Sequence, residues 1–408
     1  MKTAIVLSGG GAKGSYQLGV WKALRKLKIK YDIVTGTSVG ALNGVMMVQG
    51  DYKTALKFWS NINYKMLFNN DFKKVNENIY LTYIKGFIAQ GGMDITNLET
   101  ALDEVFDEKK FYNSNVDFGI VVYNWTEKKS ETITKNNISK EDIKDYVIAS
   151  ATCFPAFKMK KIDQEQYIDG GVYDNLPINL ALDLGADKII AVDLKAIGIK
   201  QEVKQPEKIM TIISPKNDIG AMLEFDKQIA RKNIRYGYND TMKAFNKVIG
   251  NKYTFKKDMY NVSLEKVKQK FDYTLNQYLD VKQDFWGEVQ RLISMYIIKD
   301  LKIRDNKFID IIEFAGKTLK IDDSRIYFLN YYNYLLRKKF RKIPVVNQEL
   351  IKNKIAKKDI KSLLGSKYIV KYIYQIIKNE KEYKELYNLV PLFKKEFLTA
   401  IYLISIGC

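Results

Sequence analysis

The pentapeptide Gly36-Thr37-Ser38-Val39-Gly40 is a G-x-S-x-G motif in a chain that contains no histidine. A serine flanked in this way sits on a sharp turn between a buried strand and a helix, so the chain around it must supply both. Tyr31 to Thr35 reads as the strand and Val39 to Val48 as the helix. A hydroxyl held on such a turn is the usual form of an activated nucleophile, yet no imidazole exists here to take its proton. Any chemistry built on Ser38 needs another base.

Upstream, Met1 to Ser8 reads as a short buried strand that breaks into Gly9-Gly10-Gly11-Ala12-Lys13-Gly14. A helix with apolar residues at helical spacing is predicted from Ser15, with Ser15 as its cap. A glycine loop feeding a helix N-terminus turns several backbone N–H groups toward one point, which suits a phosphate or a developing oxyanion. The G-x-G-x-x-G spacing also fits a dinucleotide-binding fingerprint. That fingerprint requires an acidic residue at the far end of the second strand, whereas Asp32 stands at its beginning and the strand runs into the serine turn. The dinucleotide reading is therefore the weaker one.

A third signal is Tyr167-Ile168-Asp169-Gly170-Gly171, an aspartate at a strand end followed by two glycines. Alone, it is most simply a hairpin turn. Beside a serine that lacks a histidine, Asp169 is a candidate base.

The glycine loop, the serine turn and the Asp-Gly-Gly turn, in this order and without histidine, resemble the patatin-like phospholipase family. Ala149 to Phe157, a small-residue segment with a proline ahead of the aspartate strand, resembles the family as well. The resemblance implies a three-layer α/β/α sandwich and hydrolysis of acyl esters by a serine–aspartate dyad. It implies Ser38 as nucleophile, Asp169 as proton acceptor, and an oxyanion hole from Gly9, Gly10, Gly11 and Gly14, to which the Val39 N–H can add. Lys13, Gly36, Gly40, Gly170 and Gly171 are expected to support these motifs. Lys13 is a mild departure, because many members carry arginine there and the two cations differ in hydrogen-bonding geometry. The expected activity is that of a phospholipase A or lysophospholipase. A general carboxylesterase acting on soluble esters, and a non-catalytic lipid- or partner-binding protein on the same fold, are the alternatives.

No cofactor or metal is expected. Without histidine, and with only Cys153 and Cys408, the sequence offers no zinc cluster, and its carboxylates lack EF-hand spacing. Cys153 reads as a buried core thiol, and two distant cysteines suit a reducing compartment. The net charge of +20 calls for an anionic partner. A lipid ester substrate at an anionic membrane surface fits the expected chemistry, while nucleic acid is disfavoured for want of any recognition motif. No apolar run approaches the roughly 18 residues of a transmembrane helix, and the apolar N-terminal stretch is too short for a signal peptide. A cytoplasmic protein, peripheral to the membrane, is expected.

At 408 residues and 46% hydrophobic, the chain can bury more than one core. Alternating strands and helices through residue 215 predict a catalytic domain over 1–215, with further strands at 188–194 and 209–213. Residues 216–408 predict a mainly α-helical region of unassigned role. There Leu264, Phe271, Tyr278, Phe285 and Leu292 recur every seven positions, as in a long bundled helix. A second helix is predicted from Ser324 to Arg341, where aromatics precede Arg337, Lys338, Lys339 and Arg341. That pattern occurs in membrane-surface helices, though an ordinary core helix with a basic last turn accounts for it more simply.

Overall fold

The computed structural model describes residues 1–67, 92–258, 260–280, 305–347, 365–379 and 392–408, and in addition 349, 351, 353, 354, 362, 363, 389 and 390. The chain divides into two compact units, Met1–Phe245 and Asn246–Cys408.

The first unit is organised by strand β1 (Thr3–Leu7), whose last four residues are fully buried. Burial on both faces is what a continuous apolar run such as Ala4 to Leu7 demands. β1 lies between β2 (Ile33–Gly36) and β7 (Lys188–Val192), parallel to both. The sheet continues through β3 (Asp117–Asn124) on one side and β8 (Ile209–Ile213) on the other. β4 (Lys129–Thr134), β5 (Lys160–Ile162) and β6 (Glu165–Asp169) join antiparallel. Alternate residues of β1 serve opposite cores. Ile5 and Leu7 pack with helices α1 (Ser15–Lys26) and α2 (Val39–Gln49), while Ala4 and Val6 pack with the helix Ile178–Asp183. This is the expected α/β/α sandwich, and it is followed by the expected helical region.

The topology also decides where a site can form. The chain leaves β1 toward β2 and β3, then returns to add β7 on the other side of β1. The loops after β1, β2 and β7 therefore diverge at one carboxyl edge, the place where open parallel sheets bind ligands.

Two local expectations change. Ser15 does not cap α1, because a 3-10 turn over Gly11–Gly14 already gives Gly14 helical angles; the Ser15 hydroxyl instead donates to the Ala12 carbonyl at 3.2 Å. The first unit also extends past residue 215. Its last helix, Lys227–Ala244, packs on α1 at backbone distance, since a Cβ at Gly19 would fall 2.0 Å from the Ile234 carbonyl oxygen and one at Gly237 2.0 Å from that of Tyr16. The Tyr16 hydroxyl donates to the buried Asp240 carboxylate at 3.0 Å. The strand pattern ends near 215, but the core it serves does not.

The second unit holds a three-stranded sheet, β9 (Val248–Ile249), β10 (Thr254–Lys256) and β11 (Ile326–Tyr327), with helices at Tyr260–Asp280, Asp305–Thr318, Leu329–Phe340, Lys367–Lys378 and Lys394–Ser405. Leu264 and Phe271 of the seven-residue repeat are buried on the first of these helices. The side chain of Tyr278, and Phe285 and Leu292 altogether, lie outside the described residues. The helix predicted from Ser324 begins only at Leu329. Asp322 accepts from the Ser324 N–H at 3.0 Å and from its hydroxyl at 2.6 Å, a turn that diverts the chain into β11 first. The face Leu329, Tyr332, Leu336 and Phe340 is buried, so this is a core helix. Its basic end is partly used internally: Arg337 donates to the Ile406 carbonyl at 2.9 Å and Arg341 to that of Gly407 at 3.3 Å, satisfying acceptors at the end of the helix Lys394–Ser405.

Candidate active site

β3 acts as the ruler that brings Ser38 and Asp169 together. β2 pairs with its first half, ending at Gly36 opposite Ile120, and β6 then takes over the same edge, placing Asp169 opposite Val122. The turn beyond β2 is thus delivered to the end of β6. Ser38 has φ +59°, an unfavourable value for a side-chain-bearing residue, at the start of α2. The neighbouring glycines make this turn sterically feasible. A Cβ at Gly36 would lie 2.3 Å from the Gly40 carbonyl oxygen, and one at Gly40 would lie 2.3 Å from that of Leu7. The Thr37 hydroxyl donates to the Asp174 carbonyl at 2.8 Å and so ties the turn to the loop that follows Asp169.

Ser38 and Asp169 are 8% and 7% exposed, and the Ser38 side chain stands near enough to the Asp169 carboxylate to lower its pKa. Burial pushes the Asp169 carboxyl up to about 6, against the lowering effect of the neighbouring Ser38 side chain and of the Gly171 N–H, which donates to it at 2.7 Å. The carboxylate is thereby held on its own turn, in the position of a base. A Cβ at Gly170 would fall 2.2 Å from the Val121 carbonyl oxygen, so this glycine lets the turn close against β3. Cys153, beside Asp169, is pushed up to about 12 by burial and then by that carboxylate, which leaves an inert thiol.

The glycine loop divides by role. The Gly9 N–H donates to the Asn175 carbonyl at 3.1 Å, so it is already engaged and does not face a ligand. The N–H groups of Gly10, Gly11 and Val39 make no hydrogen bond among the described residues. Gly11 has φ +55°, and a Cβ there would meet the Met222 carbonyl oxygen at 2.2 Å. A Cβ at Gly14 would strike Val39 and Trp59, making this residue a close-packing point beneath the turn. Lys13 is half-buried on the 3-10 turn, its N–H donating to the Gly10 carbonyl at 3.2 Å.

Two residues that sequence reasoning passed over support this arrangement. Ser150 accepts the Ser38 N–H at 3.0 Å and donates to the Val121 carbonyl at 2.8 Å, pinning the Ser38 backbone to β3. It stands in the small-residue segment before Cys153, but smallness alone does not reveal a bridge. Asn175, fully buried, wedges its side chain between Gly9 and Gly171, where a Cβ on either glycine would meet its Oδ1 at 2.2 and 2.9 Å. The Asn-Leu-Pro run that follows Asp-Gly-Gly is the one available sequence signal for it.

A cavity opens at Ser38 and is lined almost wholly by apolar side chains from α2, from α3 (Tyr52–Asn61), from the helix Thr96–Asp103 and from the segment Met222 to Phe225. Asn43, the polar residue in its wall, is turned to structural use: it donates to Gly14 O and Gln17 Oε1 and accepts from Trp59 Nε1 at 2.8 Å. Among the described residues no cluster of carboxylates or thiols could hold a metal ion, and no helix is long and apolar enough to cross a membrane.

Residues 5–182 match the sequence model of the patatin-like phospholipases. Lysophospholipase nte1 of Aspergillus terreus is 29% identical over 198 residues, and patatin-like phospholipase domain-containing protein 7 of Rattus norvegicus is 26% identical over 194 residues. Each match covers 47% of this chain but only 12% and 13%, respectively, of those longer relatives. Among solved structures, VipD from Legionella pneumophila aligns over 100% of this chain and 92% of its own at 14% identity and a TM-score of 0.42, too slight a likeness to carry an argument.

Proposed function

We propose, from the match of residues 5–182 to the patatin-like phospholipases, that the protein is a lipid acyl hydrolase of the phospholipase A or lysophospholipase type. The observation that carries the reading is the adjacency of Ser38 and the buried Asp169 carboxylate, with Ser38 in the wall of an apolar cavity. Asp169 takes the Ser38 proton as the Ser38 oxygen attacks the ester carbonyl, and returns it to the leaving alcohol. The acyl group stays on Ser38 until water, deprotonated by the same carboxylate, releases the fatty acid. The N–H groups of Gly10, Gly11 and Val39 stabilise the oxyanion, each worth about 3 kcal/mol in a water-excluded site. The N-terminal end of α2 adds its dipole.

A carboxylate with an ordinary pKa near 4 is a weak base, and burial of Asp169 moves it toward the range where proton acceptance is efficient at neutral pH. The apolar cavity favours a lipid over a small soluble ester, because nothing in its wall would reward a short polar acyl group. Contact with an anionic membrane surface is part of the same proposal and rests on the net charge of +20. The reading is tested by acyl release from phospholipid vesicles and from a short-chain soluble ester. Purified protein that hydrolyses neither, or a Ser38→Ala protein that hydrolyses both normally, would sink it.

A further inference from the structure

The cavity beyond Ser38 has a direction and an end. Val39, Leu42 and Met46 line it from α2, and Leu98, Leu102 and Val105 line it from the helix Thr96–Asp103 and the turn after it. On α2 the set spans seven residue steps, or two helical turns of about 10 Å in all. The helix Thr96–Asp103 forms the second wall. Near the start of the second, the Met93 N–H donates to the Ala156 carbonyl at 2.8 Å, and Met93 is paired with Phe157, which itself lines the cavity together with Cys153. At the far end, Gln49, the last residue of α2, donates from Nε2 to the Val105 carbonyl at 2.9 Å and accepts the Asp107 N–H at 2.9 Å. The same end is tied again by Lys110, which bridges Asp51 at 3.1 Å and Asp107 at 3.3 Å. Behind Val105, Phe106 packs on the fully buried Phe111 with ring centroids 5.5 Å apart.

We infer that this slot is an acyl-chain ruler, with Val105 as its stop and the Gln49 carboxamide as the brace that holds the stop in place. The inference rests on the acyl-hydrolase reading and specifies the substrate class it leaves open. The span from the start of α2 to Met46 is about 10 Å and to Gln49 about 15 Å. A zigzag of 1.5 Å carbon–carbon bonds advances about 1.25 Å per carbon, so the slot takes an acyl chain of about eight to twelve carbons. A longer chain has to leave part of its length outside, forfeiting the burial of those methylenes.

The experiment is a chain-length series of p-nitrophenyl esters from C4 to C16 in detergent micelles. For the unmodified protein kcat/KM is expected to peak between C8 and C12 and to fall about ten-fold by C16. Val105→Trp moves the peak several carbons shorter, and Val105→Ala or Gln49→Ala raises the C16-to-C10 ratio. A flat profile through C16, or a peak that stays put in Val105→Trp and in Met46→Trp alike, overturns the ruler. Calorimetric binding of free fatty acids of the same lengths to Ser38→Ala protein separates the two ideas. A binding cut-off in Ser38→Ala protein, together with an unmodified protein that hydrolyses no ester, would remove the hydrolase reading and leave the slot standing. Hydrolysis without a cut-off would remove the slot alone.

Discussion

The two units use glycine differently: nineteen of the 24 glycines precede residue 246, and many of them stand where another backbone passes within touching distance. In the first unit these approaches assemble the site, with Gly36 against Gly40, Gly40 against Leu7 and Gly170 against Val121. The second unit is held by bulk, with Phe255, Phe271, Tyr332, Phe340, Tyr372 and Tyr402 all fully buried. Its one deeply buried acid of the helix Asp305–Thr318, Glu313, accepts the N–H groups of Asn251, Lys252 and Tyr253 at 2.7, 3.0 and 3.2 Å, a structural arrangement. Close backbone approach makes chemistry possible because it aims N–H groups and loops at one point; aromatic packing makes only stability.

The sharpest way to break this contrast is at the pair itself. Ser38→Ala and Asp169→Asn should each lower kcat by about 10³-fold or more, and the double variant should be little worse than either, because residues acting as a unit do not lose independently. Steady-state rates of the three variants beside circular dichroism of the fold decide it, and a multiplicative double loss would rule out a shared mechanism. Next, Gly170→Ala places a Cβ against the Val121 carbonyl and should cost about 2 kcal/mol or more together with activity. Gly365→Ala in the second unit meets nothing within 4 Å and bears only its φ of +68°, so it should cost about 1 kcal/mol. Denaturant melts that rank these two the other way would remove the contrast.

A third test uses pH. Asp169 must be ionised to accept a proton, so kcat/KM should rise with pH through about 6 and level off above it. Stability should move oppositely. Between the ordinary carboxylate value near 4 and about 6 the folded state holds a proton that the unfolded state has lost, so stability falls as pH rises through that window, by at most about 3 kcal/mol. Asp169→Asn, inactive, should therefore be the more stable protein at pH 7; equal melting curves at pH 7 and pH 4 for both proteins would refute the buried-base account. The smallest effect is expected in the second unit. Arg337→Gln removes a donor to the Ile406 carbonyl and should cost about 1 kcal/mol in a urea melt, with vesicle binding nearly unchanged. A large loss of vesicle binding would instead return the basic helix end to the membrane.

Much of the site is legible in one sequence because its parts are local. Ser38 with Gly36 and Gly40, Asp169 with Gly170 and Gly171, and the run Gly9 to Gly14 each need a special backbone conformation, and only particular residues permit it. The strands at Lys188–Val192 and Ile209–Ile213 were legible as short apolar runs, but only the first is buried as its run implies; Ile209–Ile213 is an edge strand that leaves Met210 and Ile212 exposed. The Ser15 cap, the start of the helix before Arg337 and the extent of the first unit were not. In each case the outcome turned on a neighbouring turn or a distant helix rather than on the residue's own preference.

The sequence by itself determined that a serine turn, a glycine loop and an aspartate turn exist, and that no histidine could join them, since these follow from residue type and spacing alone. Only the tertiary structure decided that β3 lays Gly36 and Asp169 along one edge, that the Gly9 N–H is taken by Asn175 while those of Gly10 and Gly11 are not, that Ser150 bridges Ser38 to Val121, and that Gln49 donates to the Val105 carbonyl. Each of these is a contact between residues far apart in the chain. A contact of that kind depends on strand register and helix packing, which no local pattern encodes.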